Sequence, residues 1–296
     1  MTQFSGKAEN RGLAIAWMLA TMGCFIALDT LMKLGLERYS LAQVTWGRFF
    51  FATIFAALYC GRALPNLIKS KVPLQQTWRS FFLMITTALF NGGIIYVPLV
   101  TATTIMFLTP IFTTILAVLV LGEHVGMRRW TGIAIGFLGA LVVIQPWSAL
   151  TTGLNIGTLL LFAAAISNAA YQIATRKVRE DDPRTSLLFT AAVGALVASL
   201  IAPWYWAWPD ASGWALLAGS GLMGALGHFC IIAAFSNAPA SVVSPFSYSS
   251  LIWAATFGFL VWGDVPQLDV LLGAALIIAS GLYIFFRERQ IQMQRD

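Results

Sequence analysis

The sequence predicts an all-α integral membrane protein, with ten transmembrane helices arranged as two inverted five-helix repeats around a central cavity. Three observations lead to this prediction: an apolar composition, ten long apolar segments, and a pattern that recurs along the chain. Of the 296 residues, 58% are hydrophobic and 10% are charged, whereas soluble domains carry roughly 25% charged residues. No polar stretch is long enough for another domain, so we expect almost the whole chain to lie in lipid.

Each of the ten segments is long enough to cross a bilayer, which needs about 20 mostly apolar residues in a helix. The first five form a predicted repeat over residues 12–146, and the last five form a second over residues 153–286. In chain order the predicted spans cover residues 12–34, 40–60, 77–97, 99–121, 127–146, 156–175, 185–206, 213–235, 239–262 and 268–286.

A pattern recurs after 141 residues without a gap. Leu121-Gly122-Glu123 closes one apolar segment, and Trp262-Gly263-Asp264 closes another. The same offset relates Gly132 to Gly273, Pro98 to Pro239 and Gly12 to Gly153. Because each half holds an odd number of spans, the second repeat is predicted to sit upside down relative to the first. Inverted repeats with a site between them are typical of secondary transporters.

The basic residues predict how the chain is oriented in the membrane. The net charge is +6, and threading ten spans places nearly all arginines and lysines on the side that holds both termini. Lys33 and Arg38 lie on the other side, and Arg48 lies within a span. By the positive-inside rule, both termini are predicted to be cytoplasmic. The basic charge then serves orientation and contact with the lipid bilayer, and we expect no nucleic-acid partner.

Several motifs that would indicate enzymes are absent from the sequence. Without a G-x-x-x-x-G-K-[ST] loop, ATP does not drive this protein directly. Cys24, Cys60 and Cys230 lie in apolar segments, and their odd number and placement argue against a disulfide framework or a metal site. With no H-E-x-x-H or G-x-S-x-G motif either, the sequence predicts no enzyme activity, no metal site and no cofactor.

Asp29 in the first span and Arg48 in the second are predicted to lie at similar depths, near the outer ends of their helices. A lone charge inside the membrane is costly, so the two side chains are expected to pair, with Lys33 extending toward the outer surface. Two roles remain open for this pair. It is either an ion pair that holds two helices together, or a gate or substrate-charge contact on the outer side.

Polar side chains within the spans predict a cavity. Polar groups are costly against lipid tails, so they are expected to face the interior, which is either a cavity or a packed seam between helices. Stripes of such residues occur in corresponding helices of both halves, which favours the cavity. The residues predicted to contact a small-molecule substrate are Asn91, Asn168, Tyr171, His228 and Tyr248.

Tryptophans and prolines add predictions about the walls of the cavity and its motion. Trp17 and Trp253 lie away from the interfacial belt and are predicted to form apolar walls, although either also suits simple packing. Pro110 and Pro245 lie inside the fourth and ninth spans, where a proline permits a bend. Each proline is either a hinge or a static kink.

Glycines are regularly spaced in the fifth and tenth spans, including Gly132 with Gly136 and Gly273 with Gly281. Such stripes let helix backbones approach closely in lipid. The close approach lies either within the chain or between two copies of it, so we expect a monomer or a weak homodimer.

The chain resembles the drug/metabolite transporter superfamily, and within it the EamA family. The resemblance is carried by the segments from Thr109-Pro110-Ile111-Phe112 to Leu121-Gly122-Glu123 and from Pro239-Ala240-Ser241 to Trp262-Gly263-Asp264, and it spans nearly the whole chain. The overall sequence is most similar to YddG-type exporters of the bacterial inner membrane. That similarity implies a central cavity and a cargo of amino acids, notably aromatic ones, and related metabolites.

These observations lead to one expected function and two alternatives. The resemblance implies a secondary transporter that exports amino acids or similar small metabolites by alternating access. The near-absence of fixed charge near the midplane favours net-neutral or zwitterionic cargo with an apolar side chain. Efflux of drugs or cationic compounds is the first alternative. The small multidrug relatives carry a membrane-embedded glutamate in their first helix, which this chain lacks. The second alternative is a non-transporting membrane protein, such as a receptor or an assembly scaffold.

Overall fold

A computed structural model describes residues 10–122, 127–144, 155–178 and 180–293. Every regular element in these ranges is helical. Glu123 of the recurring pattern and the predicted connection 148–153 lie outside the described residues, as do the predicted ends of the two repeats at 146 and 153.

The main helices are numbered here in chain order. They are α1 (Arg11–Leu36), α2 (Leu41–Cys60), α3 (Pro73–Ile94), α4 (Leu99–Met106), α5 (Thr109–Leu121), α6 (Met127–Ile144), α7 (Ile156–Lys177), α8 (Pro183–Ile201), α9 (Ala211–Asn237), α10 (Ser249–Trp262) and α11 (Leu268–Met293). Side chains that accept hydrogen bonds from the first helical turn mark several starts, among them Asn10 before α1, Ser40 before α2 and Asp210 before α9.

Six helical stretches of the described residues are long and apolar enough to cross a membrane. They are Arg11–Leu36, Leu41–Leu67, Leu99–Val120, Ile156–Lys177, Pro183–Tyr205 and Ala211–Asn237. Two shorter apolar helices, Trp130–Ile144 and Leu268–Tyr283, accompany them. The multi-pass membrane architecture is therefore clear, while the number of ten spans stays a prediction.

The predicted fourth and ninth spans are not continuous helices. The fourth is interrupted between Met106 and Thr109, and α5 begins with Pro110 in its first turn. The ninth consists of a short helix at Ala240–Val243, a 3₁₀ segment at Ser244–Tyr248 that contains Pro245, and then α10. A proline has no N–H to donate, and its ring clashes with the carbonyl four residues earlier, so each break lies beside its proline.

Helix packing joins the first half of the chain to the second at most positions. α1 packs on α9 and α10, and α3 packs on α7 and α8. α2 packs on α8 and α9, α5 packs on α7, and α6 packs on α11. The contacts that build the interior are thus mainly between the halves, so a site in the interior draws side chains from both.

Glycines act at two kinds of position in this packing. A methyl group on Gly273 would lie 2.6 Å from the carbonyl oxygen of Gly139, so only glycine lets α6 and α11 approach this closely. Gly122 and Gly263 end α5 and α10 with φ of 65° and 72°, the left-handed conformation that glycine adopts most easily. The two glycines are related by the 141-residue offset, so the recurring pattern marks the same helix ending twice.

Candidate functional site

The face at which α1 begins is called the inner face below and the face at which it ends the outer face, following the predicted orientation. A central polar group lies between them, made of Asp29 on α1, Arg48 on α2, Thr87 on α3 and His228 on α9. Arg48, Asp29 and His228 are surrounded by protein, yet each retains some accessible surface. They therefore line an internal space and do not face lipid.

Arg48 is held by neutral groups. Its Nη1 donates to Thr87 Oγ1 at 3.0 Å and lies 3.9 Å from the sulfur of Met32. The guanidinium also lies 5.4 Å from the centre of the Phe49 ring. The charges of Asp29 and Arg48 influence each other, but among the described residues no ion pair shorter than 4.0 Å joins them. The expected direct pair is therefore not formed in this structure.

His228 on α9 is the third ionisable residue of the central polar group. Its Nδ1 is 2.9 Å from the carbonyl oxygen of Gly224, and its ring meets Phe25 edge-on at 5.3 Å between centroids. The carbonyl can only accept, so Nδ1 carries the proton and Nε2 is left as an acceptor in the neutral ring. Within the described part of the chain no group bonds Nε2, which leaves it available to a ligand.

A second feature is the inner cavity, a space of about 320 Å³ between the two halves. Its described lining combines aromatic, hydroxyl and amide groups with one arginine. The residues that border it include Phe107, Pro110, Thr113, Gln172, Arg176, Ser244, Pro245, Ser247, Tyr248 and Ser280. Both prolines and Tyr248 are thus brought together, as α5, α7, α11 and the 3₁₀ segment converge there. The rings of Phe107 and Tyr248 lie 5.0 Å apart.

The predicted polar residues of α3 and α7 are distributed around these two features. Asn168 Nδ2 donates to Thr109 Oγ1 at 3.4 Å and remains partly exposed. Asn91 is fully buried between α3 and α2, where its Nδ2 lies 3.3 Å from Thr45 Oγ1 and its Oδ1 has no partner. Asn91 is therefore closed off from any ligand unless α2 and α3 separate.

Tyr171 has a partner that sequence reasoning missed. Arg79, one of the basic residues predicted at the inner rim, is only 5% exposed and donates to the Tyr171 hydroxyl at 2.7 Å. Its other partners are Thr175 Oγ1 at 2.8 Å, Thr190 Oγ1 at 2.8 Å and the Ser186 carbonyl at 3.1 Å. All of them are neutral and lie in the second half, so Arg79 ties α3 to α7 and α8.

Next to Arg79, a loop carboxylate extends this connection toward the inner face. Asp181 accepts from the Ser70 hydroxyl, from the Lys71 N–H at 3.0 Å and from Gln76 Nε2 at 2.9 Å. Burial raises the pKa of Asp181, but these hydrogen bonds and the charge of Lys71 outweigh it and hold the pKa below its ordinary value. The loop before α3 is thereby fastened to the loop between α7 and α8.

At the outer face, four residues form what we call the outer seal: Lys33, Glu37, Val97 and Trp262. Lys33 Nζ donates to the Val97 carbonyl at 3.0 Å and lies 4.8 Å from the centre of the Trp262 ring. Trp262 Nε1 donates to Glu37 Oε1 at 2.7 Å. The sequence predicts that Lys33 extends toward the outer surface, and in the structure it joins α1 and the α3–α4 loop to the end of α10 there.

The two predicted wall tryptophans lie elsewhere than in the inner cavity. Trp17 meets Phe229 edge-on at 5.7 Å between centroids, toward the inner end of α1. Trp253 packs over Gly23, where an added methyl group would lie 3.3 Å from its ring. Both tryptophans lie at the contact of α1 with the second half.

Phe107 lines the inner cavity but was not predicted to do so. The sequence could have indicated it, because the 141-residue offset relates Phe107 to Tyr248, which was predicted to contact substrate.

Comparison with known proteins identifies the family that shares this architecture. The profile of the EamA-like transporter family matches the chain twice, over residues 12–145 and over residues 155–286. The chain belongs to the EamA-like transporter family. The family predicted from the sequence is thereby confirmed, and the protein is a secondary transporter of small molecules that crosses the lipid membrane several times.

Named relatives of this EamA-like transporter span nearly its full length. The S-adenosylmethionine uptake transporter of Rickettsia felis is 31% identical over 283 residues, which is 95% of each chain. The riboflavin transporter of Vibrio cholerae is 30% identical over 90% of this chain and 91% of its own. The pseudopaline exporter CntI of Pseudomonas aeruginosa is 24% identical over 86% of this chain and 90% of its own. These relatives are transporters and not enzymes, in agreement with the prediction.

A solved crystal structure shares the fold. It covers 95% of this chain and 99% of its own, with a TM-score of 0.63 and 16% sequence identity. At this level of identity the match concerns the arrangement of helices alone.

Proposed function

We propose that this transporter exports amino acids, mainly aromatic or apolar ones, and related small metabolites across the bacterial inner membrane by alternating access. The observation that carries the proposal is the unequal closure of the two faces. The outer seal joins the halves at the outer face. Toward the inner face Arg79 and Asp181 also join them, on the side of α3, α7 and α8, but a space of about 320 Å³ remains between the halves where α5, α7 and α11 converge. A structure of this kind corresponds to a state ready to take cargo from the inside.

The helix contacts support the proposed arrangement of ten spans as two inverted repeats. If the halves are exchanged, α1 takes the place of α7, α2 that of α8 and α3 that of α9. The packing of α1 on α9 then corresponds to that of α7 on α3, and the packing of α2 on α9 to that of α8 on α3. Such reciprocity is expected of repeats related by a two-fold axis in the membrane plane. With ten spans both termini lie on the same side of the membrane, and the distribution of arginines and lysines favours the cytoplasm as that side.

The chemistry of the interior favours cargo without net charge. The inner cavity combines aromatic and hydroxyl groups with Arg176, and the central polar group adds one acid and one base. Asn168, Tyr171, His228 and Tyr248 are the proposed polar contacts to cargo. An amino acid with an apolar side chain matches both kinds of surface. S-adenosylmethionine, the cargo in the name of one relative, has the ammonium and carboxylate of an amino acid and, in addition, a positively charged sulfonium.

The remaining predicted residues take supporting roles in this proposal. Trp17 and Trp253 act as apolar walls where α1 meets the second half, and Asn91 reaches cargo only when α2 moves from α3. Pro110 and Pro245 act as hinges, because each lies beside a helix break that borders the inner cavity. The close crossing of α6 and α11 uses their glycines within the chain, which favours a monomer over a weak homodimer.

One observation favours a second candidate, the efflux of cationic compounds. Asp29 faces the internal space, and no group in the described part of the chain donates a hydrogen bond to it. A carboxylate in that setting attracts a cation. Competition by an organic cation for the transport of amino acids would support this alternative.

The test is uptake of radiolabelled aromatic amino acids into proteoliposomes, with and without an imposed pH gradient. Equilibration without a gradient indicates a facilitator, and accumulation only with the gradient indicates proton coupling. S-adenosylmethionine and riboflavin serve as competitors, since named relatives carry them. If neither they nor amino acids move, the proposed cargo is wrong, and ligand binding without flux would point to a non-transporting role.

A further inference from the structure

Asp29 and Arg48 are opposite charges inside the membrane that do not touch. Charged groups at such depth are expected to pair, because an unpaired charge in a low-dielectric setting is costly. Here each charge influences the other, yet no ion pair below 4.0 Å joins them among the described residues. The space between them is therefore suited to a group that carries both complementary charges.

Both side chains have unused hydrogen-bonding capacity. Arg48 uses Nη1 for Thr87 and Met32, and in the described part of the structure its Nε and Nη2 have no acceptor. The Asp29 carboxylate, for its part, accepts no hydrogen bond from residues 10–122, 127–144, 155–178 or 180–293. Each side chain also retains some accessible surface, so neither is fully enclosed by its neighbours.

Arg48 is already oriented for a ligand. The bond to Thr87 and the Phe49 ring hold the guanidinium between α2 and α3. A guanidinium edge with two free N–H groups matches the two oxygens of a carboxylate, and an aspartate matches an ammonium. His228 Nε2, which no group in the described part of the chain bonds, is a further acceptor for an ammonium.

We infer that Arg48 and Asp29 together bind a zwitterionic α-amino acid, with Arg48 binding its carboxylate and Asp29 its ammonium. The inference rests on the proposed function and names the groups that select the cargo. It replaces the gate role considered for this pair, which the outer seal fills instead. A ligand with only one of the two charges leaves the other residue without its counter-charge, and this sets the specificity.

The wild-type protein tests the inference with three ligands of similar shape. Phenylalanine has both charges, phenylalaninamide lacks the carboxylate, and 3-phenylpropionate lacks the ammonium. Binding is measured in detergent by competition with radiolabelled phenylalanine and by the ligand-induced rise in Tm. We expect each single-charge analogue to bind roughly 10- to 100-fold more weakly than phenylalanine, the usual range for losing a charged hydrogen bond.

Two variants assign each charge to its residue. In Arg48→Gln the preference for phenylalanine over phenylalaninamide should disappear, and in Asp29→Asn the preference over 3-phenylpropionate should disappear. Arg38→Gln and Glu180→Gln each remove one charge of the same sign at an exposed position and should keep wild-type preferences. The Tm of each variant without ligand shows whether it folds, and the wild-type series remains decisive if one does not.

The outcomes separate the inference from the proposed function. If the wild type binds phenylalanine and both analogues equally, or if each variant keeps the wild-type preferences, the inference is wrong while amino-acid transport stands. If only Asp29→Asn weakens binding, and phenylalaninamide binds as well as phenylalanine, the site reads a cation and the inference is again wrong. If the wild type binds no amino acid at all, both the inference and the proposed function fail.

Discussion

The rings of Phe107 and Tyr248 pack against each other with centroids 5.0 Å apart and planes inclined by 49°. They lie 141 residues apart, the offset that also relates Gly122 to Gly263. Phe107 follows the end of α4, and Tyr248 ends the 3₁₀ segment before α10. The two interrupted spans therefore meet through corresponding residues, at a point that also borders the inner cavity.

The Phe107–Tyr248 contact should couple the two halves energetically. We expect Phe107→Ala and Tyr248→Ala to be non-additive in a double-mutant cycle, with an interaction free energy of about 0.5–1.5 kcal/mol, as for other aromatic pairs. Thermal unfolding in detergent and transport rates each provide the readout. Phe112→Ala with Tyr248→Ala is the matched control, since Phe112 packs on Phe162 instead. Additive effects for Phe107 and Tyr248 would contradict the coupling.

His228→Ala and Tyr171→Ala should each slow transport by about tenfold or more, the cost of one hydrogen bond to a charged or polar ligand group. The folded yield should stay intact, because Arg79 keeps three other partners when Tyr171 is lost. The measurement is initial uptake into proteoliposomes at equal protein content. Tyr171→Phe separates the hydroxyl from the ring. Normal transport by both alanine variants would show that the cavity assignment is wrong.

Weakening the outer seal should favour opening at the outer face. Trp262→Leu removes both the hydrogen bond to Glu37 and the ring that lies against Lys33. At a partly exposed site the two contacts together contribute about 1 kcal/mol, so their loss should raise the population of the state open at the outer face several-fold. Val97→Cys, in a chain whose own cysteines are replaced by alanine, should then react several-fold faster with an impermeant thiol reagent added outside.

Trp262→Phe should have a smaller effect on that reaction, because it keeps a ring for Lys33. Trp204→Leu changes a tryptophan that is 82% exposed and apart from the seal, so its rate should match the parent. Equal rates for Trp262→Leu and Trp204→Leu would show that these residues do not hold the outer face closed.

Stability should depend on pH through Asp181. Since its pKa is lower in the folded protein than in the unfolded chain, the stabilisation exists above the ordinary aspartate pKa of about 3.9 and is lost as pH falls through the folded value. The Tm difference between wild type and Asp181→Asn should thus be largest near neutral pH and should shrink below about pH 4. Glu180→Gln, in the same loop, controls for loss of one negative charge. A Tm difference that does not change with pH would refute the role of this carboxylate.

Much of the architecture follows from local features of the amino-acid sequence. Apolar runs of about 20 residues, glycines that end helices and a recurring pattern depend only on neighbouring residues and on the bilayer, so the order of residues is enough to predict them. The 141-residue offset also relates Phe107 to Tyr248. Pro110 and Pro245 predict bends but not full interruptions of the helices. Each proline leaves the carbonyl four residues earlier without its N–H donor, and the sequence does not show whether a neighbouring helix supplies another donor.

Side-chain partners were decided by tertiary packing alone. The sequence predicts Arg79 at the inner rim and Arg48 within a span. In the structure Arg79 is buried and ties α3 to α7 and α8 through neutral groups, whereas Arg48 lies in the central polar group with Asp29. Lys33 is a lone outward charge in the sequence, and only the packing of α10 places Trp262 against it. Burial and hydrogen bonding depend on residues far along the chain that the fold brings together, so composition and spacing determined the membrane scaffold, and the contacts between the halves decided which charges are free to meet a ligand.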